Sequence, residues 1–330
     1  MRKLLTGVLL VSLLLALSFG SLTYYLLYSP VTPTETIDYQ LQPGASLIKV
    51  ARDLESSGVV RTSLSLRFFA RLEDVGEKIH TGHYRFSEQA TPQQILHRLA
   101  TGDVEKVSLT IPEGFTLQQI VERIQKLGYG DKTKLLQLAY DKSFIASFSL
   151  QADSLEGYLY PETYLFTPGV SEKQLLTMMV KQFLSNLPQN ILAAAKKNKL
   201  DFHELVTLAS IIEKETGKME EMPLISSVFH NRLKKGMQLQ TDPTVIYGIK
   251  NFDGNLTRKH LKSKTPYNTY IIRGLPPGPI ASPGLAALKA AAIPAESQYL
   301  YFVAKGDGSH HFSKTLKEHN RAVRKYQLNR

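Results

Sequence analysis

Two carboxylates near the end of an apolar helix are the residues of this chain whose type and spacing best suit acid–base chemistry. The spacing of apolar residues such as Leu208 and Ile212 predicts a helix over residues 202–216. Glu215 falls at the edge of the apolar face, and Glu213 borders its other flank. Burial beside apolar side chains raises the pKa of a carboxyl, as a general acid working near neutral pH requires.

The residues of this helix also allow a purely structural role, and they lack the patterns of other catalytic sites. A glutamate at a helix end is more often exposed or locally paired than catalytic. Thr207, Ser210 and Lys214 share the opposite face, which predicts an amphipathic helix. His203 and Glu204 are not followed by a histidine at position 207, as a zinc-protease helix requires. The chain has no Cys, phosphate-binding glycine loop or nucleophile elbow. We therefore predict neither a metal nor a cofactor.

The N-terminal segment is apolar enough to cross a membrane. Residues 4–27 are uncharged and would span a hydrocarbon core of roughly 30 Å at about 1.5 Å per residue. Arg2 and Lys3 precede this segment, whereas Glu35 and Asp38 follow it. Because positive residues remain on the cytoplasmic side, this asymmetry predicts a cytoplasmic N-terminus.

A single-pass anchor in the cell inner membrane follows from this pattern. We predict a cytoplasmic tip and transmembrane helix at residues 1–28, a linker at 29–38 and a periplasmic body. A cleaved signal peptide is the alternative, although no convincing small-residue cleavage site is present. The net charge of +11 comes from scattered basic residues. It favours a solvated basic surface near a membrane over a nucleic-acid partner.

An internal repeat follows the linker. Residues 41–58 match residues 111–128 at a constant offset. The paired positions are Gly44 with Gly114, Ser46 with Thr116, Leu47 with Leu117, Val50 with Ile120, Leu54 with Ile124, and Gly58 with Gly128. Each copy predicts a strand end, a glycine turn, a Ser or Thr N-cap, an amphipathic helix and a glycine after the helix. We also predict a capped helix at residues 91–99 and strands at 78–86 and 104–111.

The arrangement of strand, turn and helix resembles the LysM-like modules of cell-wall enzymes. The resemblance implies a glycan-binding region over residues 39–150. Two small units that merely space the rest of the chain from the membrane are the alternative, because the pattern consists mostly of capping and packing residues.

Longer helices and turn-rich loops characterise residues 151–330. Helices are predicted near residues 172–187 and 202–216, followed by loops such as 274–284. Loops that combine turn formers with Tyr, Asn and Gln suit a groove for a large polar ligand. The predicted fold class is α+β: a transmembrane helix, LysM-like α/β subdomains and a mainly helical catalytic domain.

Several long motifs in this region occur in the order found in one enzyme family. They are LASIIEKET at residues 208–216, SVFHNRL at 227–233, MQLQTDPTVIYG at 237–248, PYNTY at 266–270 and GLPPG at 274–278. LEGYLYPETY at 155–164 and the stretch from YLYFV at 299–303 to His319 fit the same pattern. Together they resemble the endolytic murein transglycosylases, the MltG or YceG-like family, whose catalytic domain resembles lysozyme-like transglycosylases.

This resemblance implies a peptidoglycan lytic transglycosylase, a carbon–oxygen lyase. Glu215 would be the catalytic acid and then the base, with Thr216 beside it. Cleavage between N-acetylmuramic acid and N-acetylglucosamine within nascent strands would leave 1,6-anhydromuramic ends and set strand length. Candidate substrate-binding residues are Tyr158, Tyr160, Glu162, Thr216, Gln240, Thr241, Asp242, Tyr247, Tyr267, Asn268, Tyr270 and His310.

Two alternative functions are compatible with the same sequence, and the resemblance also implies binding partners. A non-catalytic peptidoglycan-binding scaffold would use the repeats alone. A muramidase that uses water would need a second carboxylate, for which Asp242 and Glu162 are candidates. The resemblance also implies an association with the inner membrane and with peptidoglycan synthases.

Overall fold

The protein is a mixed α and β structure, as predicted. The structure, a computed structural model, describes residues 2–76 and 78–328. In that part of the chain, helices are joined to three two-stranded sheets. Met1, assigned above to the cytoplasmic tip, and residues 329–330, assigned to the catalytic domain, lie outside the described residues.

Contacts divide the chain into two compact units. The first comprises Met1–Ser108 and Leu165–Gly169, and the second comprises Leu109–Tyr164 and Val170–Arg330. The boundary at Ser108 falls inside the region 39–150 that the sequence analysis assigns to glycan binding. That functional assignment stays a prediction.

The first unit is built around a two-stranded antiparallel sheet. Tyr39 lies opposite Tyr84 in this sheet, and the buried face packs against short helices. Its elements are α1 (Arg2–Tyr28), β1 (Ile37–Leu41), α2 (Leu47–Ser56), α3 (Ser63–Leu72), β2 (Gly82–Phe86) and α4 (Pro92–Thr101). Strand β2 is shorter than the predicted strand 78–86, because His80 instead donates its backbone N–H to Leu99, near the end of α4.

Helix α1 is long and apolar enough to cross a membrane. Its residues Thr6–Tyr28 have a mean hydropathy of 1.9, and none of this segment is buried against the rest of the chain. Length and composition of this kind fit both a membrane span and a signal sequence. The topology across a membrane therefore stays a prediction.

The backbone confirms the internal repeat. Gly44 and Gly114 have φ angles of +79° and +72°, and Gly58 and Gly128 have φ angles of +72° and +75°. Paired glycines therefore adopt the same left-handed conformation, which side chains disfavour. The helix in each copy begins after its predicted N-cap hydroxyl. The copies belong to different compact units.

The second unit contains most of the helices. They are α5 (Leu117–Lys126), α6 (Lys132–Ala139), α7 (Lys142–Ala146), α8 (Glu172–Ser185), α9 (Gln189–Lys197), α10 (Phe202–Glu215), α11 (Met222–Lys234), α12 (Asp242–Tyr247), α13 (Arg258–Leu261), α14 (Leu285–Ala292) and α15 (Leu316–Val323), followed by a π-helical turn, Arg324–Leu328. Strands β5 (Tyr301–Ala304) and β6 (His310–Ser313) pair in this unit. Strands β3 (Val107–Thr110) and β4 (Thr163–Phe166) also pair, and the unit boundaries at residues 108–109 and 164–165 fall within them.

Helix α10 is a core helix, which corrects the amphipathic prediction. Every residue from Leu205 to Ile212 is buried, including Thr207 and Ser210 on the face predicted to be polar. Thr207 donates its hydroxyl to the His203 carbonyl, and Ser210 Oγ accepts the backbone N–H of Ile280 at 3.0 Å. Because both hydroxyls have hydrogen-bond partners, they can be buried among apolar side chains.

Candidate active site

Glu215 is the last residue of α10, and the local sequence explains why the helix ends there. Thr216 is extended, with φ −148° and ψ 140°, and Gly217 follows it. The Thr216 hydroxyl is buried and accepts the backbone N–H of Lys218 at 3.0 Å. The Glu215 carboxyl therefore lies at the negative end of a buried helix, where ionisation is disfavoured.

A strained loop holds the hydrogen-bond donor of this carboxyl. Gln240 has a φ of +50°, a left-handed conformation that costs a residue with a side chain about 1 kcal/mol or more. Thr241 follows it and donates its hydroxyl to Glu215 Oε1. The Thr241 backbone N–H binds Thr269 Oγ1 at 3.0 Å, and Thr269 in turn contacts the Thr244 hydroxyl at 2.8 Å. This network fixes Thr241 against the carboxyl.

Burial raises the pKa of Glu215 to about 7, in the direction that the sequence predicts. The hydrogen bond from Thr241 and the positive charge of Arg232 act to lower this pKa, while the Asp242 carboxylate acts to raise it. The balance leaves the carboxyl divided between its protonated and ionised forms near neutral pH. A group in that state can both donate and accept a proton.

Arg232 is a buried cation that lines the same cavity. Its guanidinium donates to the backbone carbonyls of Leu300 at 2.6 Å, Leu239 at 2.8 Å and Gln238 at 3.2 Å. It also lies 5.1 Å from the centre of the Tyr301 ring. No salt bridge of Arg232 is found within the residues that the structure describes. Its charge therefore acts on the cavity and on Glu215.

A histidine that lines the same cavity pairs with a carboxylate beside it. Glu221 accepts the backbone N–H of His310 at 3.0 Å, and its other oxygen lies 2.7 Å from His310 Nδ1. Burial acts to raise the pKa of Glu221, but the bonds from His310 outweigh burial and lower it. The pair fixes the orientation of the imidazole ring.

Glu215, Arg232 and His310 line one cavity of about 400 Å³. Five predicted residues besides Glu215 line it: Gln240, Thr241, Asp242, Tyr270 and His310. Tyr270 donates its hydroxyl to Asp242 Oδ1 at 2.6 Å. The remaining lining residues are Arg232, Leu239, Tyr301, Phe302, Val303, Ala304, Leu316, His319, Val323 and Gln327. Hydroxyl, amide and aromatic groups around an acid are what binding of a sugar chain requires.

Other predicted residues lie away from this cavity. Tyr158 is buried, with its hydroxyl 2.7 Å from His203 Nδ1. Tyr160 is half-buried against Phe183, and Glu162 is exposed. None of these three lines the cavity around Glu215 in the part of the chain that the structure describes. Sugar binding by these residues stays a prediction.

Asn268 supports a loop in the structure. Its side chain is fully buried and donates to the carbonyls of Leu261 and Ser263 at 3.1 and 2.7 Å. Its amide oxygen accepts the backbone N–H of Tyr270 at 2.9 Å. Asn268 therefore positions Tyr270, which does line the cavity.

Tyr247 and Tyr267 lie near a second buried carboxyl, that of Glu156, and not at the cavity around Glu215. Their rings are 4.8 Å apart, and Tyr247 donates its hydroxyl to Glu156 at 3.1 Å. The other Glu156 oxygen accepts the backbone N–H of Leu117 at 2.9 Å. Burial raises the pKa of Glu156 to about 7, against these bonds. Sequence reasoning quoted the motif of Glu156 but gave the residue no role.

We expect Glu156 to make stability depend on pH. In the unfolded chain its carboxyl ionises near 4.5, whereas in the folded chain it does so near 7. The free energy of unfolding should therefore fall as pH rises through that window, by about 3 kcal/mol for a shift of this size. Glu156→Gln should remove this part of the decline in chemical denaturation. The exposed Glu162→Gln serves as the control, and an equal decline in Glu156→Gln and the native chain would contradict the expectation.

The site includes residues that were not among the predicted candidates. Arg232, Tyr301 and His319 line the cavity, and Glu221 pairs with His310. Arg232 lies in a quoted motif, but its partners are backbone carbonyls, which no residue pattern reveals. The His319 ring stacks on Tyr301 at 5.2 Å. The pairing of Glu221 with His310 spans 89 positions, so only the fold brings them together.

Known proteins resemble this chain over most of its length. The model of the YceG-like family matches residues 39–325. The chain belongs to the YceG-like family. A relative from Bacillus subtilis (strain 168), named an endolytic murein transglycosylase, is 34% identical over 307 residues, which cover 88% of this chain and 85% of the relative.

A second relative and a solved structure are also similar to most of the chain. An endolytic murein transglycosylase of Streptococcus pneumoniae serotype 2 is 29% identical over 85% of this chain, which spans 56% of that relative. A crystal structure of a YceG-like protein from Listeria monocytogenes is 36% identical, with a TM-score of 0.60. The matched region covers 87% of this chain and 98% of the Listeria monocytogenes chain.

Proposed function

We propose that this protein is a membrane-anchored endolytic transglycosylase that cleaves peptidoglycan glycan strands, with Glu215 as the acid and then the base. The observation that carries the proposal is a carboxyl with a raised pKa, held by Thr241 at a cavity lined with polar and aromatic groups. The names of the relatives support the same substrate. Scission within nascent strands would set their length.

Both proton transfers in the proposed reaction use the Glu215 carboxyl. Protonated Glu215 donates to the oxygen that leaves C1 of N-acetylmuramic acid, and the bond between C1 and that oxygen breaks. The Glu215 carboxylate then takes the proton of the muramic 6-hydroxyl as its oxygen bonds to C1. The product is a 1,6-anhydromuramic end, and no water is consumed. Arg232 stabilises the carboxylate between the two steps.

The alternative with water as nucleophile requires a second carboxylate at the cavity. Asp242 lines the cavity and accepts the Tyr270 hydroxyl, whereas Glu162 lies away from it. Mass spectrometry of digested glycan strands distinguishes the reactions, because hydrolysis adds one water for each bond cleaved and transglycosylation adds none. Anhydro ends support the proposal. Reducing ends would assign a muramidase, and intact strands would favour a non-catalytic scaffold.

We expect Thr241→Val to shift the pH dependence of cleavage. The Thr241 hydroxyl lowers the pKa of Glu215, so its removal should raise that pKa further above its ordinary value of 4.5. Activity that requires protonated Glu215 falls as pH rises through this pKa. The decline on the alkaline side should therefore move to higher pH.

The measurement is kcat/KM as a function of pH for the native chain and for Thr241→Val. Thr163→Val, which removes an exposed hydroxyl in β4, is the matched control. A decline at the same pH in all three proteins would show that Thr241 does not set the pKa of Glu215.

We further propose that the first compact unit binds glycan at a polar groove of about 840 Å³. The groove is lined by Glu73, Arg85, Ser87, Glu88, Gln89, Ala90, Gln93, Gln94, His97, Arg98, Asp103, Val104 and Glu105. Amides and paired charges of this kind suit the hydroxyl and acetamido groups of a sugar chain. This groove would perform the role of the predicted LysM-like region.

Replacing two exposed groove residues tests this second proposal. Gln89→Ala combined with His97→Ala should weaken sedimentation with insoluble peptidoglycan roughly tenfold, since two hydrogen bonds contribute about 1–3 kcal/mol. The type of product should not change. Unchanged binding would favour the reading of this unit as a spacer.

A further inference from the structure

Helix α3 carries an apolar stripe on its solvent-facing side. Leu64, Phe68 and Leu72 recur at every fourth position, and 59%, 42% and 67% of their surfaces are exposed. Leu66 and Phe69 on the other side of the helix are buried in the core of the same unit. A surface helix normally presents polar residues where this stripe lies, so the stripe marks an interaction surface.

The polar residues beside the stripe are cationic. Arg67 and Arg71 are exposed on the same side of the helix. Arg61 lies just before the helix, with its guanidinium 4.3 Å from the centre of the Tyr25 ring in α1. Residues 61–72 include no Asp or Glu, and the first acidic residue is Glu73 after the helix. An apolar stripe with flanking arginines is typical of helices that lie in a membrane interface.

Helix α3 also contacts the end of the predicted anchor. Tyr28, the last residue of α1, packs edge to face on Phe69 at 5.2 Å and on Phe68 at 6.4 Å. Tyr24 stacks on Tyr28 at 5.3 Å. Tyrosines of a spanning helix concentrate at the headgroup level. Because α3 touches the residue at which α1 would leave the bilayer, α3 lies at that level.

We propose that α3 lies in the outer headgroup layer of the membrane. Leu64, Phe68 and Leu72 insert among the upper acyl chains, and Arg67 and Arg71 bind the phosphates of anionic lipids. The occupant is the lipid leaflet because the stripe is continuous with the anchor and is flanked by cations. The inference rests on α1 as an uncleaved span and is independent of the catalytic proposal. It gives the first unit two attachments to the membrane.

The absence of cysteine from the sequence allows single-site labelling of the full-length protein. Leu64→Cys and Leu72→Cys would each carry an NBD fluorophore in vesicles of phosphatidylethanolamine and phosphatidylglycerol. Ser56→Cys, at an exposed position of α2, is the matched control. We expect blue-shifted emission at positions 64 and 72, and loss of most of it when lipids with a shallow nitroxide are added. Position 56 should show neither change.

All three variants keep the anchor and should bind the vesicles. Flotation of the vesicles checks this binding independently of the fluorescence. Equal quenching at positions 56, 64 and 72 would overturn the proposal. Blue-shifted emission without quenching by the nitroxide would also overturn it, because a second copy or another protein would then cover the stripe. Arg67→Glu combined with Arg71→Glu should lower the quenching at position 72 in these vesicles. Unchanged quenching would overturn the assigned role of anionic lipid.

Discussion

Glu215→Gln should abolish glycan cleavage while the fold stays intact. The amide retains the size of the carboxyl and can accept the Thr241 hydroxyl, but it cannot donate the proton or recover it. General acid–base catalysis contributes about 10²–10⁴-fold per positioned group, so cleavage should fall at least that far. A neutral amide also replaces a carboxyl that burial disfavours when ionised. The melting temperature should therefore stay the same or rise.

Glu213→Gln is the matched control on the same helix. The Glu213 side chain accepts the backbone N–H of Gly284 at 3.0 Å and does not line the cavity around Glu215 among the described residues. This variant should retain much more activity, measured as release of anhydro ends from purified peptidoglycan. If Glu213→Gln is inactive and Glu215→Gln is active, the acid is misassigned by two positions, although the reaction class survives.

Arg232→Met should lower the stability of the fold and shift the pH dependence of cleavage. The substitution leaves the carbonyls of Leu300, Leu239 and Gln238 without their donor. Unsatisfied buried acceptors cost about 1–3 kcal/mol each, and relief from burying the charge offsets part of this, so we expect a loss of about 2–4 kcal/mol. Loss of the charge also removes an influence that lowers the pKa of Glu215. The alkaline decline in activity should move to higher pH.

Two further variants isolate the contribution of the guanidinium. Arg232→Lys keeps a positive charge but loses the planar group that reaches several carbonyls, so it should recover the pH profile more fully than the stability. Arg258→Met, at an exposed position, should change the free energy of unfolding by less than about 0.5 kcal/mol. Thermal unfolding and kcat/KM against pH provide the measurements. A melting temperature of Arg232→Met equal to that of the native chain would refute the structural role.

Locally encoded features were predictable from the sequence. Thr91 and Thr116 form capping boxes with Gln94 and Gln119, because an N-cap hydroxyl and a residue three positions later suffice for that motif. The raised pKa of Glu215 was predictable in direction, because its position at the edge of the apolar face of its own helix indicates burial.

Features that depend on distant parts of the chain were not predictable from residue patterns. Ser210 appeared polar and exposed, but a bond from the Ile280 backbone allows its burial. Tyr158 was chosen as a sugar-binding tyrosine, yet its ring lies in the core beside Phe183. A tyrosine in a core and a tyrosine in a groove have the same local sequence signal, and only packing distinguishes them.

The two compact units are interleaved along the sequence, which limits how the chain can be divided into fragments. The polypeptide passes between the two units three times, at residues 108–109, 164–165 and 169–170. A fragment that begins at residue 109 would keep residues 165–169 but lose the rest of the unit to which they belong. A fragment that ends at residue 108 would lack the same five residues of its own unit. A single cut in the sequence therefore cannot yield either unit with all of its residues.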